Sequence, residues 1–515
     1  MRDKTFVLAS AAAIMLLLLS GPAAELRAQN PQDDRDKLYV PDKDYIEAPI
    51  PPGDEKYARI DPAALKQSEA DIVAISEKSR TDGNQFWGRI TGTPYDRMTS
   101  DYMLARFQKI GLEQVRRQEF DLPPQWLPQS WEADLEANGK STPLTSAYPI
   151  SFSLGTGAAP LEAEAVWVGL GTAADFIGRD VAGKAVVIET WPTPGGLSHS
   201  AAWNGAINRA LKSGASMAFI VNAFPGNVTH LIQCCGWAPG SYVAPPLTTI
   251  PGMALGNRDG SSVREAIEKG ERPKIKLRLD VKMREGLKTN NVWGVLPGMT
   301  DENILVMAHH DAFFDGALDN ASGMAMLLEV AKYYATIPKS ERRRTMVFLD
   351  DSLHHSPGMA GSTWVRENMH DFLAKTAFIV NCEHPAATET YLVGAGLMTS
   401  DGVASARWFA SGSDAFKNLV AGTPREYNIP VYAIPEARGG GDLSQLTMTS
   451  PSFHIINHIF YHTNLDTPDW TPPSRIAVVT RAYLKIIDGA NKMSQDDIRG
   501  NFHPSFERPR GPGAG

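Results

Sequence analysis

Cysteine is nearly missing from this chain: of 515 residues only Cys234, Cys235 and Cys382 carry a thiol. Two of the three are neighbours, and adjacent cysteines bridge each other only in strained geometry, so a disulfide scaffold is excluded. A single long-range bridge stays open, and the odd count leaves at least one thiol free. A thiol nucleophile finds no supporting feature elsewhere in the sequence. Positive charge is also short: 50 Lys and Arg stand against 58 Asp and Glu, a formal net charge of -8. That balance offers no general basic surface, which argues against nucleic acid as a partner. Long apolar runs are missing after the start of the chain, where no segment has the length of a membrane-crossing helix. The opening stretch, "MRDKTFVLASAAAIMLLLLSGPAAELRAQN", has a short charged start, an apolar stretch and then small residues. It reads as a secretory signal over residues 1–28, so the mature protein is expected outside the cytoplasm, secreted or periplasmic. An uncleaved membrane anchor is the alternative.

What the chain does have is a globular composition, 43% hydrophobic and 21% charged, with length enough for one large core and a second smaller one. Residues 29–60 are polar and proline-rich and read as a linker. Helical patterning begins at "DPAALKQSEADIVAISEKS" and recurs at "TSDYMLARFQKIGL", where Tyr102, Ala105, Phe107 and Ile110 share an approximate face and Gly111 is a stop. Residues 126–285 change character to short strands and turns, among them "AEAVWVGLG", "GKAVVIETW", "MAFIVNAF" and "PKIKLRLDVKM". From 286 to 495 strands and helices alternate. "NILVMAHHD", "RRTMVFLDD", "AFIVNCEHP", a weaker "TYLVGAG" and "SFHIINHIFYH" are the strands, with "SGMAMLLEVAKYYATI" and "AGSTWVRENMHDFL" as helices between them. Such alternation predicts an α/β fold with a mainly parallel sheet flanked by helices. No internal repeat is visible, and residues 496–515 read as a disordered tail.

In an open α/β sheet, ligands bind beyond the carboxyl ends of the strands. The residues just after the apolar runs are His309, His310 and Asp311, then Asp319, His354 and His355, Glu383 and His384, and His462. Imidazoles and carboxylates aimed at one crevice are donors for zinc or a similar divalent ion. Singly, each has a plainer reading: Asp319 as a helix cap, Glu383 as a surface group, His462 as a packed histidine. Residues 434–448, "IPEARGGGDLSQLTM", form a candidate substrate loop in which Gly440 and its neighbours permit close approach and Asp442 is the notable side chain; a surface turn is the alternative.

"AHHDAFFDGALDNASGMAMLLEVA" resembles the signature of the co-catalytic zinc aminopeptidases and glutamate carboxypeptidases, a His-x-Asp element followed by Asp-Asn-x-Ser-Gly. "VNCEHP" and "YHTNLDTPD" are similar to later ligand elements of that family, and "GKAVVIE" with "ALKSGASMAFIV" to the protease-associated domain often inserted in it. The resemblance covers about residues 60–495. It implies a zinc-exopeptidase fold with a β-rich protease-associated domain at 126–285, the peptidase domain being split between 61–125 and 286–495. It further implies Zn2+, two ions as the first expectation, with His309 and Glu383 on one, His462 and one of His354 and His355 on the other, and Asp319 bridging. Asp311 would fix the ring of His309, Asp466 would act similarly behind the final motif, and Tyr461 would donate toward a developing oxyanion.

One departure bears on catalysis. The family carries a Glu-Glu pair in the second strand element, a general base and a ligand. An ungapped count from Arg343-Arg344-Thr345 puts His354 and His355 there, whereas counting back from Gly361-Ser362 puts His355 and Ser356 there. Three functions follow: a secreted metallopeptidase acting on small peptides or amides with His354 or His355 in an altered acid/base role, a non-catalytic relative acting as a binding protein, or a metal-dependent amidohydrolase with a non-peptide substrate.

Overall fold

The computed structural model describes residues 38–40, 48–191, 203–232, 250–355, 360–385, 388–393, 396–403, 407–430, 441–456 and 460–507. The signal segment, Cys234, Cys235 and Gly440 lie outside them. Cys382 is buried and carries a free thiol. Among the described residues no helix is long and apolar enough to cross a membrane.

Seven strands build the principal sheet: β1 (Glu113–Asp121), β2 (Lys288–Leu296), β3 (Asn303–His309), β4 (Thr345–Asp351), β5 (Thr376–Asn381), β6 (Arg407–Ser411) and β7 (Ser452–Ile456). Their spatial order is β6-β7-β5-β3-β4-β2-β1. The four central strands run parallel, while β6, β2 and β1 pair antiparallel at the two sides. This is the expected mainly parallel, mixed sheet: its centre is parallel, and β2, which runs into β3 with no helix between them, joins β1 as an antiparallel edge. "TYLVGAG" is not in this sheet. Its strand, Thr388–Val393, pairs with Gly396–Val403, and so short a separation in sequence permits only an antiparallel pair.

Central β3, β4 and β5 are fully or almost fully buried, as continuous apolar strands covered on both faces should be. Helices α1 (Pro62–Thr81), α2 (Pro94–Ile110), α3 (Ser322–Ala335) and α4 (Pro473–Lys492) supply the main packing on one face. Asp61 caps α1 by accepting from the Ala63 amide, and Gly111 ends α2 at φ 88°, a left-handed conformation that glycine adopts without a Cβ penalty. A second, eight-stranded sheet takes all its strands from residues 125–284 and has its own apolar core. Two parts of the chain expected to be irregular are ordered. Residues 55–59 form a short helix whose Tyr57 donates to Asp488 on α4, and beyond 495 a capped helix, Gln495–Arg499, is followed by Phe506 stacked on His370.

One buried charge tunes this packing. Glu69 on α1 is fully enclosed, and burial raises its carboxyl to about 7 despite the Lys66 ammonium 2.7 Å away. A raised carboxyl binds its proton more tightly folded than unfolded. Its contribution is therefore present below about pH 4.5 and is lost as pH rises to about 7. Glu69→Gln removes this loss, so the variant should gain on the parent by on the order of 2 kcal/mol between pH 4.5 and 8. Urea midpoints at the two pH values measure it; a gap that does not widen with pH would refute the assignment.

Candidate metal centre

Parallel pairing sets the stage, since β3 and β4 are in register with His309 beside Asp351 and β5 follows on the other side of β3. The chain therefore leaves three neighbouring strands at one end, and their following residues meet there. Successive strand residues point to opposite faces. His309 accordingly turns to Asp319 (Nε2 to Oδ1 3.3 Å), while His310 turns away to lie between Asp96 (2.6 Å) and Asp350 (2.9 Å).

Asp319 is the hub. Its Oδ2 lies 3.1 Å from His355 Nε2 and 3.3 Å from His462 Nε2, and its Oδ1 lies 3.3 Å from His309 Nε2 and 3.1 Å from His384 Nε2. All five residues are buried. Both counts for the second strand element include His355, and its ring stands against Asp319. His354 stacks on His309 at 4.0 Å between ring centroids, and its Nδ1 lies 2.9 Å from Asp442 Oδ2. The expected substrate-loop residue Asp442 thus reaches the centre through His354. Gly441, at φ 53°, passes so close that a Cβ there would stand 2.9 Å from Glu383 Oε1.

Three expected roles are redistributed. Asp311 lies 3.6 Å from His309 Nδ1, but it also accepts from the His354 and His355 amides at 3.0 and 2.9 Å and approaches His355 Nδ1 at 3.3 Å, so it orders both histidine elements. Asp466 accepts from the Leu318 and Asp319 amides at 2.7 and 3.1 Å and so holds the hub's backbone. Glu383 accepts from Asn381 Nδ2 at 2.7 Å, with His454 Nδ1 3.2 Å from the same oxygen and His354 Nε2 3.8 Å from the other. Tyr461 stacks on His462, with ring centroids 3.5 Å apart.

Electrostatics follow from these distances. Burial disfavours a charged ring at His355, but Asp319 and Asp311 outweigh it and hold the imidazole up at about 9. His309 is likewise held above its usual range, by Asp311 and Asp319 against burial. At His462 burial prevails, and the ring is pushed down to about 3. Burial opposes the charge of Asp319 too, yet the surrounding imidazoles, His355 foremost, keep its carboxyl well below the usual range. Burial and the Asp319 charge together raise the Tyr461 hydroxyl, which stays protonated.

The donor set fits a divalent ion. His309 Nε2, Asp319 Oδ1 and His462 Nε2 are buried without a hydrogen bond of good geometry, and two groups, His309-His354-His355 and Asp319-His355-His462, offer ligand atoms within 4.8 Å of one another. Neutral imidazole nitrogens with a carboxylate are ligands suited to zinc.

Several framing residues carry no sequence signal strong enough to find them. Arg89, from the short Gly88–Arg89 strand, is wholly buried and donates to the carbonyls of His310, Asp315 and Gly316 and to Ser76 Oγ. Asn320 donates to the Cys382 carbonyl and accepts from the His384 amide. His310 with Asp96 and Asp350 could have been suspected from strand alternation alone, since two adjacent histidines on a strand cannot share a face.

The last strand-end element is held from the second sheet's side. Residues 229–231 lie between strands Met217–Asn222 and Gly252–Gly256, and His230 bridges to Thr463 in the antiparallel sense. Leu231 N donates to the His462 carbonyl at 2.9 Å, and Asn464 N donates to the Thr229 carbonyl at 3.0 Å.

Residues 291–487 match the family model described as Peptidase family M28. A probable glutamate carboxypeptidase of Arabidopsis thaliana is 26% identical over 192 residues, 36% of this chain and 27% of its own. One of Zea mays is 24% identical over 213 residues, 36% of this chain and 28% of its own. The chain thus spans little more than a quarter of the length of the curated relatives it matches. Among solved structures, a zinc aminopeptidase from Bacillus subtilis superposes with a TM-score of 0.59 at 18% identity, covering 85% of this chain and 98% of that one. A Peptidase M28 precursor from Shewanella amazonensis gives 0.64 at 17% identity, covering 86% and 98%. At these identities the likeness is one of fold, a mixed α/β sheet flanked by helices.

Proposed function

We propose that the chain is a zinc-dependent exopeptidase of the M28 kind, acting on small peptides, with two metal positions that share Asp319. The observation carrying this reading is the Asp319 carboxylate itself, with His309 against one oxygen and His355 and His462 against the other. The M28 match over residues 291–487 agrees with it. Zinc bound there would supply Lewis-acid polarisation of the scissile carbonyl and a water acidic enough to attack near neutral pH.

The chain's own residues do the rest. Asp442 orients His354 through Nδ1, leaving Nε2 as the nitrogen that takes a proton from the attacking water and returns it to the leaving amine. Histidine thus stands where the family has a glutamate base. Tyr461 keeps its hydroxyl proton and donates a hydrogen bond to the developing oxyanion. Phe313, with its ring centroid 5.0 Å from those of both His355 and His462, walls one side with an apolar surface that excludes water. We further assign residues 126–285 to an inserted protease-associated domain and the chain to an exported location, on the sequence pattern alone.

The loss of the Glu-Glu pair favours a second reading, a non-catalytic metal-holding relative. Elemental mass spectrometry of the purified protein separates metal from no metal, and a panel of aminoacyl and peptidyl substrates separates the two metal-holding readings. About two zinc equivalents with chelator-sensitive release of single residues is the expected result. Fewer than about 0.2 equivalents after dialysis would overturn the zinc reading. Gly441→Ala provides a local check. Its Cβ would press on Glu383 and His354 from a left-handed backbone, so kcat/KM should fall at least ~10-fold while zinc content is kept.

A further inference from the structure

We infer that His384, and not Glu383, is the third-strand ligand of the metal pair, so that each oxygen of Asp319 is matched by two imidazoles. The inference rests on the zinc reading above and departs from the carboxylate that the family pattern puts in this strand. His384 Nε2 stands 3.1 Å from Asp319 Oδ1, on the oxygen that also faces His309 at 3.3 Å. The opposite oxygen has the same arrangement with His355 and His462 at 3.1 and 3.3 Å. One carboxylate therefore sits between two imidazole pairs.

The turn carrying His384 is built to hold it there. Asn320, next to the hub, donates to the Cys382 carbonyl at 3.0 Å and accepts from the His384 amide at 3.2 Å, tying both flanks of residue 383 to the Asp319 loop. Gly323 makes room for this clamp, since a Cβ there would overlap Asn320 Oδ1 and the Cys382 carbonyl. His384 adopts φ 47° and His462 φ 55°, a region non-glycine residues enter only when their surroundings enforce it. Both ligand histidines use that backbone to bring their rings to Asp319.

Glu383 has other partners. Asn381 Nδ2 and His454 Nδ1 lie 2.7 and 3.2 Å from its Oε2, and His354 Nε2 lies 3.8 Å from Oε1. Its carboxylate is held by contacts within that histidine-rich layer and backs the centre without entering it. Chemically, four imidazoles and one carboxylate leave the ligand set with a single negative charge. Such a set favours zinc, cobalt, nickel or copper over magnesium or manganese, which prefer oxygen.

Zinc content of the full chain, His384→Ala, His384→Gln and Glu383→Gln, each dialysed against the same weak chelator, decides the matter. Both His384 variants should fall from about two equivalents to about one, while Glu383→Gln keeps two with affinity within ~10-fold of the parent. The glutamine at 384 preserves bulk, so loss in both variants, read on protein with a cooperative melt, is loss of a ligand and not of the fold. Substituting cobalt(II) gives a second readout: visible absorption should change for the His384 variants and stay for Glu383→Gln. If Glu383→Gln loses an equivalent, or the His384 variants keep two, the inference fails while the zinc reading stands. If the parent holds no zinc, the zinc reading fails first.

Discussion

Asp319→Asn is expected to remove both metal positions at once, dropping zinc from about two equivalents to below about one half and peptidase turnover by at least ~1000-fold. No other single substitution should do this, because among the described residues Asp319 is the carboxylate that faces Nε2 atoms of both imidazole pairs, whereas Asp311 meets His309 and His355 at Nδ1. Losing one imidazole leaves the second position its ligands. Losing the carboxylate takes away the shared donor and also the charge that holds His355 and His309 in place. An amide is nearly the same size, so packing is kept and the effect is electrostatic. Elemental analysis alongside a thermal melt makes the check, and an Asp319→Asn protein that still carried one full equivalent would show that the two positions do not share this residue.

Arg89→Met should have the largest effect on stability, about 3–5 kcal/mol, although Arg89 reaches only the loop backbone at the centre and none of its metal-binding side chains. Burial lowers its guanidinium to about 10, and the surrounding acids, Asp466, Asp319, Asp311 and Asp315, compensate only in part. Methionine fills the space yet leaves the carbonyls of His310, Asp315 and Gly316 without their donor. Each such buried carbonyl costs about 1–3 kcal/mol. Those carbonyls belong to the loop between His309 and Asp319, so zinc affinity should weaken together with the urea midpoint. A variant as stable as the parent would mean that water replaces the guanidinium.

Much of the centre was legible because strand periodicity is legible. β3, β4 and β5 announce themselves as buried apolar runs, and a parallel sheet places their ends together; that gathers His309, Asp319, His355 and His462 among the candidates, and the family resemblance singles them out. Four kinds of detail were not. Antiparallel edges on the sheet depend on β1 and β2, whose pairing is set by partners distant in sequence. The choice between Glu383 and His384 turns on one residue's φ, which Asn320 imposes from another strand-helix junction. The resemblance placed Asp466 behind the final motif but said nothing of its reach across the fold to the amides of residues 318 and 319. Arg89 belongs to a two-residue strand with no pattern, and its importance lies in carbonyls that any sequence would supply.

Asn464 Oδ1 accepts from the Thr229 amide, and beside that contact main-chain atoms of residues 229–231 and 462–464 pair directly. Recognition of that kind asks for a path and not for particular side chains. What residues 229 and 231 lend the histidine loop is thus a backbone path, while the buried ring of His230 is tied to Asn222 on its own side. The family match, which begins at residue 291, does not reach this stretch. The β-rich part of the chain cannot on this account be exchanged as a cassette. A graft that kept its sheet but shifted this short stretch by one residue would leave His462 with a loop and no edge to lie against.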